Sequence, residues 1–308
     1  MKKIMLIADA IGWIFHRHCD EIKKRITEYE FDIKFTWNED PHYYDYTPYD
    51  LIYQLDPMGI SGLNPPKEKT IIGLRNEFMY GHSRNELIQF YLKTFHEKYK
   101  LLHVVNKNQY REFSSIPMSM PLLLVQHGVD TNCFKDKNKK QISKIEPLVI
   151  GIAGNPTSGC SKGFDIVEDA CKITGSNLLT AKQNLKKGHL TKEQMAEYYN
   201  KIDVYCCMSK INSEGINNCI MESGATGVPV IATKTGAVEE MIKNGENGFI
   251  IDRNVNRLVD KIRFFMNNRD MIKIFGDNFA KTIKKDWSWD VKINDFRKMF
   301  DLFLKNEK

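Results

Sequence analysis

Apolar residues recur along the chain in short runs, separated by stretches in which they return every third or fourth position. The runs read as strands and the stretches as helices. Residues 4–8 (Ile4-Met5-Leu6-Ile7-Ala8) read as a buried strand ending at the turn Asp9-Ala10-Ile11-Gly12. A helix is predicted over 15–28, with Ile22 and Ile26 on one face, and a second strand over 31–35. Residues 37–49 are aromatic and polar and read as loop, and 51–55 and 70–74 as strands joined by a Gly/Pro-rich connection. Strands over 101–105 and 122–125, with a helix over 106–113 between them, complete this half. Strands interleaved with helices predict a parallel sheet covered on both faces.

The lysine-rich segment 135–146 carries almost no apolar side chains. It cannot bury enough surface to join a core, so it reads as a linker. Beyond it the pattern restarts. A strand over 148–152 leads into Gly154-Asn155-Pro156-Thr157-Ser158-Gly159, followed by a helix over 163–171 and a strand over 177–181. The helix over 191–199 opens on Thr191 with Gln194 three residues on, a capping-box arrangement. Strands over 203–208, 229–232 and 249–251 alternate with helices over 217–226 and 238–244, the latter closed by Gly245. The fold class expected is α/β, with two doubly wound domains: 1–138, a linker over 139–146, 147–286, and a last helix over 287–308. Ligands in such sheets collect at the carboxyl ends of the strands.

Composition narrows the function classes. Among 308 residues, 42% are hydrophobic and 27% charged, which excludes a disordered chain. No run reaches the roughly 18 uncharged apolar residues of a membrane span. The net charge of +6 sets 35 Lys and 10 Arg against 39 acids. That excess is too dispersed to argue nucleic-acid binding, and it suits phosphorylated small molecules or an anionic membrane equally well. The 7 cysteines form no C-x-x-C pair, and the adjacent Cys206-Cys207 points to reduced thiols in a cytoplasmic protein. The start Met1-Lys2-Lys3 imitates a signal peptide, but Asp9 interrupts its apolar run and no small-residue cleavage site follows, so it reads as the first strand.

The segment Ser213-Glu214-Gly215-Ile216-Asn217-Asn218-Cys219-Ile220-Met221-Glu222 carries the most chemistry. It places Glu214 in a loop at a strand end and Glu222 in the second turn of the next helix. The amides around Ile216, Asn217 and Asn218 form a helix N-terminus suited to a phosphate. A loop carboxylate can accept hydrogen bonds from sugar hydroxyls, and a helical one can hold a ribose diol. A bare E-x7-E is common, and by itself the pair reads more readily as Glu214 capping the helix and Glu222 in a surface ion pair.

This segment resembles the E-x7-E element of the family 4 retaining glycosyltransferases, and the resemblance extends on both sides. Upstream, Gln126-His127-Gly128-Val129-Asp130-Thr131-Asn132-Cys133-Phe134 is similar to the family's N-G-V-D-x-x-x-F segment. Gly151-Ile152-Ala153-Gly154 followed by Ser161-Lys162-Gly163-Phe164-Asp165 is similar to its phosphate loop. Downstream, Gly227-Val228-Pro229-Val230-Ile231-Ala232-Thr233, Gly245-Glu246-Asn247-Gly248-Phe249 and Trp287-Ser288-Trp289-Asp290 resemble its G-x-P-V-I-A-T, G-x-N-G and S-W motifs.

The resemblance implies a GT-B fold, two Rossmann-like domains facing an interdomain cleft, with the acceptor on the N-terminal side and the donor on the second domain. It implies transfer from a UDP- or GDP-linked sugar with retention, no metal and no further cofactor. Lys162 would meet the diphosphate charge, Glu214 the donor sugar and Glu222 the ribose. Gly12, Gly154, Asn155, Gly215, Ile216, Asn217 and Asn218 would complete the donor set. The two glutamates would not act as a glycosidase-type acid/base pair. At 308 residues the chain is short for the family, and the shortfall falls on the N-terminal half.

Several positions depart from the family pattern. Asn155 stands where arginine is frequent, Ile216 replaces a phenylalanine, and Asn217 replaces Gly or Pro. The strand end where the family often carries histidine reads Gly73-Leu74-Arg75-Asn76, making Arg75 the candidate catalytic substitute. The first loop has the single Gly12, followed by Trp13. Acceptor candidates are His16, His18 and the loop with His42, Tyr43, Tyr44 and Tyr46, whose rings either stack on sugars or cover the sheet edge. The cluster Lys23-Lys24-Arg25 reads as a solvated helix face or as a contact with anionic lipid at the inner membrane face. Trp289, Ile293, Phe296, Met299, Phe300 and Phe303 recur at helical spacing, and the family's last helix crosses back to the first domain. The acceptor expected is a saccharide or lipid-linked glycan of cell-surface polymer or glycoconjugate synthesis. The other readings are a non-catalytic nucleotide-sugar-binding accessory subunit and, less favoured, a DNA-base glucosyltransferase.

Overall fold

The computed structural model describes residues 1–57, 63–75, 83–136, 145–154, 162–182, 190–211 and 213–305. Asn76, Asn155 and residues 139–144 of the expected linker lie outside the described residues. Contacts divide the chain into two units, Met1–His127 with Lys292–Lys308, and Gly128–Val291. The division falls ahead of the expected boundary at 138 for a local reason. The Val129 amide donates to the Trp287 carbonyl at 2.9 Å, and the Trp289 amide to the Val129 carbonyl at 3.1 Å. The segment after His127 is thereby bonded to residues far downstream in its own unit.

In the first unit the elements run β1 (Lys3–Ala8), α1 (Ile14–Arg25), β2 (Glu30–Phe35), β3 (Leu51–Gln54), β4 (Thr70–Leu74), α2 (Arg84–Thr94), β5 (Leu101–Val104), α3 (Lys107–Ser114) and β6 (Leu122–Leu124). Among the described residues they form a six-stranded sheet, order β2-β1-β3-β4-β5-β6, in which every pairing is parallel. After Lys3 every residue of β1 is buried, as a central strand between covered faces requires. One core gathers Ile72, Leu74, Leu87, Tyr91, Phe95, Leu102 and Phe113, and a smaller one Met5, Ile7, Tyr49 and Ile52. The last helix supplies Phe296 and Phe300, whose rings lie 6.3 and 5.8 Å from Tyr53. Helix α1 ends at Arg25 rather than at 28, because Ile26 is already extended and buried. Helix α2 was not legible from periodicity, although Ser83 and Glu86 form a capping box at its start.

The second unit runs β7 (Val149–Gly154), α4 (Phe164–Thr174), β8 (Asn177–Lys182), α5 (Lys192–Tyr199), β9 (Val204–Cys207), α6 (Asn218–Ala225), β10 (Val230–Thr233), α7 (Val238–Met241), β11 (Gly248–Ile251), α8 (Val255–Asn267) and α9 (Arg269–Thr282). A π-helical turn, Ile283–Trp287, leads into α10 (Trp289–Leu304), whose residues from Lys292 on belong to the first unit. Among the described residues the strands form a five-stranded parallel sheet, order β11-β10-β9-β7-β8. Helices α8 and α9 were not expected, and both carry a buried stripe: Leu258, Val259, Ile262 and Phe265, then Ile272, Phe275 and Phe279. Phe249 of β11 packs 5.2 to 5.6 Å from the rings of Phe264, Phe265 and Phe275. Helix α7 is shorter than 238–244, since Ile242 leaves it in an extended conformation.

Candidate functional site

In the second unit the carboxyl ends of β7 and β9 bring together residues 52 positions apart, the side chains of Lys162 and Glu214. Lys162 stands just before α4, where Gly163 adopts φ +72°; a Cβ there would lie 2.5 Å from the Met208 carbonyl oxygen at the end of β9. That close approach forces the Lys162 stem over Gly154, 3.6 Å from where a Cβ would project. Lys162 Nζ donates to Glu214 Oε1. Burial works against the ammonium, but the Glu214 carboxylate outweighs it and holds the lysine above its ordinary value.

The Glu214 loop is pinned from several sides. The Ser209 hydroxyl donates to Oε1 at 3.1 Å, and the Ala237 amide donates to the Gly215 carbonyl at 2.9 Å. Gly236, at φ +50°, passes so close that a Cβ would stand 2.2 Å from that carbonyl oxygen. Asn217 is the N-cap of α6: its Oδ1 accepts from the Ile220 amide at 3.2 Å, and its Nδ2 donates to Cys207 Sγ at 3.4 Å. Ile216 and Asn217 are buried, so both would meet a ligand through backbone rather than side chain. Glu222 is also buried, and Tyr199 donates its hydroxyl to Glu222 Oε2 at 2.9 Å. Burial holds the Tyr199 phenol protonated and pushes the Cys219 thiol up to about 12, so neither is a nucleophile near neutral pH.

Lys162, Glu214, Gly215, Gly154 and the α6 N-terminus with Asn217 and Asn218 thus come together around two strand ends, with Glu222 one helical turn further on. Ser209, Gly236 and Tyr199 belong to the same constellation and were not singled out by sequence. The only signal for Gly236 was its place in the turn after β10. Among the described residues, no group of three or more His, Cys, Asp or Glu comes together as a metal site would require.

In the first unit Arg75 is 4% exposed, and all three of its guanidinium nitrogens have partners. Its Nε donates to the Leu55 carbonyl at 3.0 Å, Nη2 to the Tyr53 hydroxyl at 2.7 Å, and Nη1 reaches Nδ1 of both His18 and His127 at 3.2 Å. A guanidinium only donates, so both imidazoles accept at Nδ1 and carry their proton on Nε2. Tyr53 in turn stands 2.7 Å from His103 Nε2. His18 therefore sits in a buried network rather than on an acceptor-facing surface. His16 Nδ1 accepts from the Gly12 amide at 2.9 Å, so these two do meet. Tyr43 is 85% exposed on a separate short turn, and Tyr44 lies 6.4 Å from the Tyr46 ring.

His103 gives this network a pH signature. Burial first, and then the Arg75 charge, hold its imidazole well below the ordinary value of 6.5. Above pH 6.5 the ring is neutral folded and unfolded; below it only the unfolded chain takes up the proton. Stability therefore falls as pH drops through and below 6.5, by about 1.4 kcal/mol per pH unit until the folded ring titrates. Urea melts of wild type and His103→Asn between pH 7 and 5 check it, the variant losing this slope.

With that geometry in place, relatives can be compared. The family described as Glycosyl transferases group 1 matches residues 137–282. An uncharacterized glycosyltransferase of Methanocaldococcus jannaschii is 29% identical over 159 residues, 46% of this chain and 44% of that protein. The capsular polysaccharide biosynthesis glycosyltransferase CapM of Staphylococcus aureus is 29% identical over 113 residues, 36% of this chain and 29% of CapM. A GDP-mannose-dependent phosphatidylinositol monomannoside mannosyltransferase of Mycobacterium tuberculosis is 26% identical over 118 residues, 35% of this chain and 31% of that enzyme. The chain thus spans less than half the length of these curated relatives. Among solved structures, HepE of Anabaena, crystallised with UDP and glucose, superposes with a TM-score of 0.74 at 13% identity, over 98% of this chain and 100% of its own. Sucrose-phosphate synthase of Thermosynechococcus elongatus gives 0.71 at 11% identity, over 99% and 100%. The fold is GT-B, and residues 137–282, the greater part of the second unit, are similar to the group 1 glycosyl transferases.

Proposed function

We propose that the protein moves a sugar from a UDP- or GDP-linked donor to a saccharide or lipid-linked glycan, with retention at the anomeric carbon and without a bound metal or further cofactor. The observation that carries this reading is the Lys162–Glu214 ion pair at the carboxyl ends of β7 and β9, beside the N-terminus of α6. A cation held by an internal carboxylate at a helix N-terminus is a site preset for an external anion. When a diphosphate arrives, Lys162 exchanges Glu214 for phosphate oxygens, and Glu214 turns to the hydroxyls of the donor sugar. Glu222, steadied by Tyr199, takes the ribose diol.

In the reaction the bond from the anomeric carbon to the diphosphate oxygen breaks, and its electron pair stays with the diphosphate. The acceptor oxygen bonds to the same face of that carbon, and its proton passes to the departing phosphate. Lys162 and the α6 amides meet the developing charge. The acceptor falls to the first unit, where His16 and Gly12 lie together and Tyr43 is exposed. The names of CapM and the mycobacterial mannosyltransferase support a glycan or lipid-linked acceptor, and work at the inner membrane face fits both.

A melting screen with UDP, GDP and ADP tests the donor side. One nucleotide at about 100 times its Kd is expected to stabilise the fold by about 2.7 kcal/mol. Release of that nucleoside diphosphate from the matching sugar nucleotide tests turnover. Absence of both effects refutes the reading.

A further inference from the structure

We infer that Ser209 is the positioning residue that keeps Glu214 aligned once Lys162 has left it for phosphate, an inference that rests on the role proposed above for Glu214. Ser209 is fully buried at the end of β9, and its hydroxyl donates to Glu214 Oε1, the same oxygen that Lys162 holds. A lysine drawn to a diphosphate cannot keep the carboxylate in place, so among the described residues the serine becomes the remaining side-chain donor on that oxygen. The serine is itself fixed. Thr233 donates its hydroxyl to the Ser209 carbonyl, tying this residue to the end of β10. The other neighbour of the Ser209 hydroxyl is Cys207 Sγ at 3.5 Å, a weak acceptor, so the carboxylate is the strong one. The sulfur in turn takes Nδ2 of Asn217, the α6 cap. The helix that would receive the phosphate and the carboxylate that would meet the sugar are thus steadied from one strand end.

The test uses Ser209→Ala, Ser209→Thr and Glu214→Gln, with UDP-glucose, UDP-N-acetylglucosamine and GDP-mannose as probes and nucleoside diphosphate release as the readout. For the probe that wild type turns over, Ser209→Ala is expected to lower kcat about 10-fold and leave KM within about twofold, the effect of one hydrogen bond to a charged group. Ser209→Thr keeps the hydroxyl and recovers most of the rate. On the Glu214→Gln background, Ser209→Ala adds less than about twofold, because two residues acting through one another are not additive. A serine with a merely structural role would repeat its full effect there. Unchanged kcat in Ser209→Ala, or full additivity, overturns the inference. If the alanine variant melts early, Ser209→Cys, of nearly the same shape but a poorer donor, takes its place with the same expectations. Wild type that neither binds UDP or GDP nor hydrolyses any probe fails the functional reading itself, whereas active wild type with an indifferent Ser209 fails only this step.

Discussion

Lys162→Ala is expected to lower nucleoside diphosphate release by about 10²- to 10³-fold, the usual effect of removing one pre-set donor from a developing oxyanion. It also abolishes the melting shift with UDP or GDP, since the same cation binds the ground-state diphosphate. The substitution acts on the resting protein too. Among the described residues it leaves Glu214, whose side chain is 13% exposed, with the Ser209 hydroxyl and no paired cation. Breaking a fully buried pair costs about 3–5 kcal/mol, and the part-exposed lysine, at 27%, puts this pair below that range. Adding Glu214→Gln removes the orphaned charge, so the double variant Lys162→Ala/Glu214→Gln regains stability while staying inactive. Recovery of turnover along with stability would show that Lys162 serves the fold alone. Urea melts read beside release rates separate the two.

Gly236→Ala is expected to give the largest stability loss of any single methyl added to the second unit's site, about 2–4 kcal/mol. The left-handed backbone at φ +50° accounts for the smaller share, since alanine tolerates that region at about 1 kcal/mol. The larger share is steric. The new Cβ would fall 2.2 Å from the Gly215 carbonyl oxygen and 2.6 Å from that of Glu214, both backbone atoms that cannot rotate away. The loop must move, and Glu214 moves with it. Lost stability accompanied by a lower kcat is the expected result. Unchanged activity at reduced stability would mean that the loop relaxes without disturbing the carboxylate.

The architecture was largely legible because strands such as β1, β4 and β10 are buried on both faces and read as apolar runs. Residues 4–8, 51–55 and 229–232 could hardly be anything else. The helices that escaped have a different character. Helix α2 is amphipathic only weakly, with Leu87 and Tyr91 as its buried residues, so its clearest mark was the Ser83–Glu86 cap rather than a stripe. Helices α8 and α9 carry strong stripes over stretches where no motif directed attention. At the site, resemblance marked Lys162, Glu214 and Glu222 individually, but their mutual geometry is a long-range property. Nothing in the sequence says that Lys162 and Glu214 neutralise each other, or that Ser209 and Lys162 share one carboxylate oxygen. Arg75 looked like an available cation. In the folded unit its donors are taken by Tyr53, Leu55 and two histidines that the chain keeps 57 and 52 residues away.

The first unit is sewn from both ends of the sequence, and this sets an order of events during synthesis. Phe296 and Phe300 pack on Tyr53, Phe300 lies 5.9 Å from Phe31, Asp301 accepts from the Tyr29 hydroxyl, and Arg297 bonds Glu28 at 2.8 Å. A nascent chain that has just emerged past β6 therefore carries a sheet lacking its last covering helix. The whole of the second unit must be translated before that helix appears, a delay of roughly 10–30 s at ~5–20 residues per second. Through that interval the apolar patch around Tyr53 and Phe31 lacks the rings of Phe296 and Phe300 that cover it in the finished unit. The unit whose strands are made before the second unit is completed only after it.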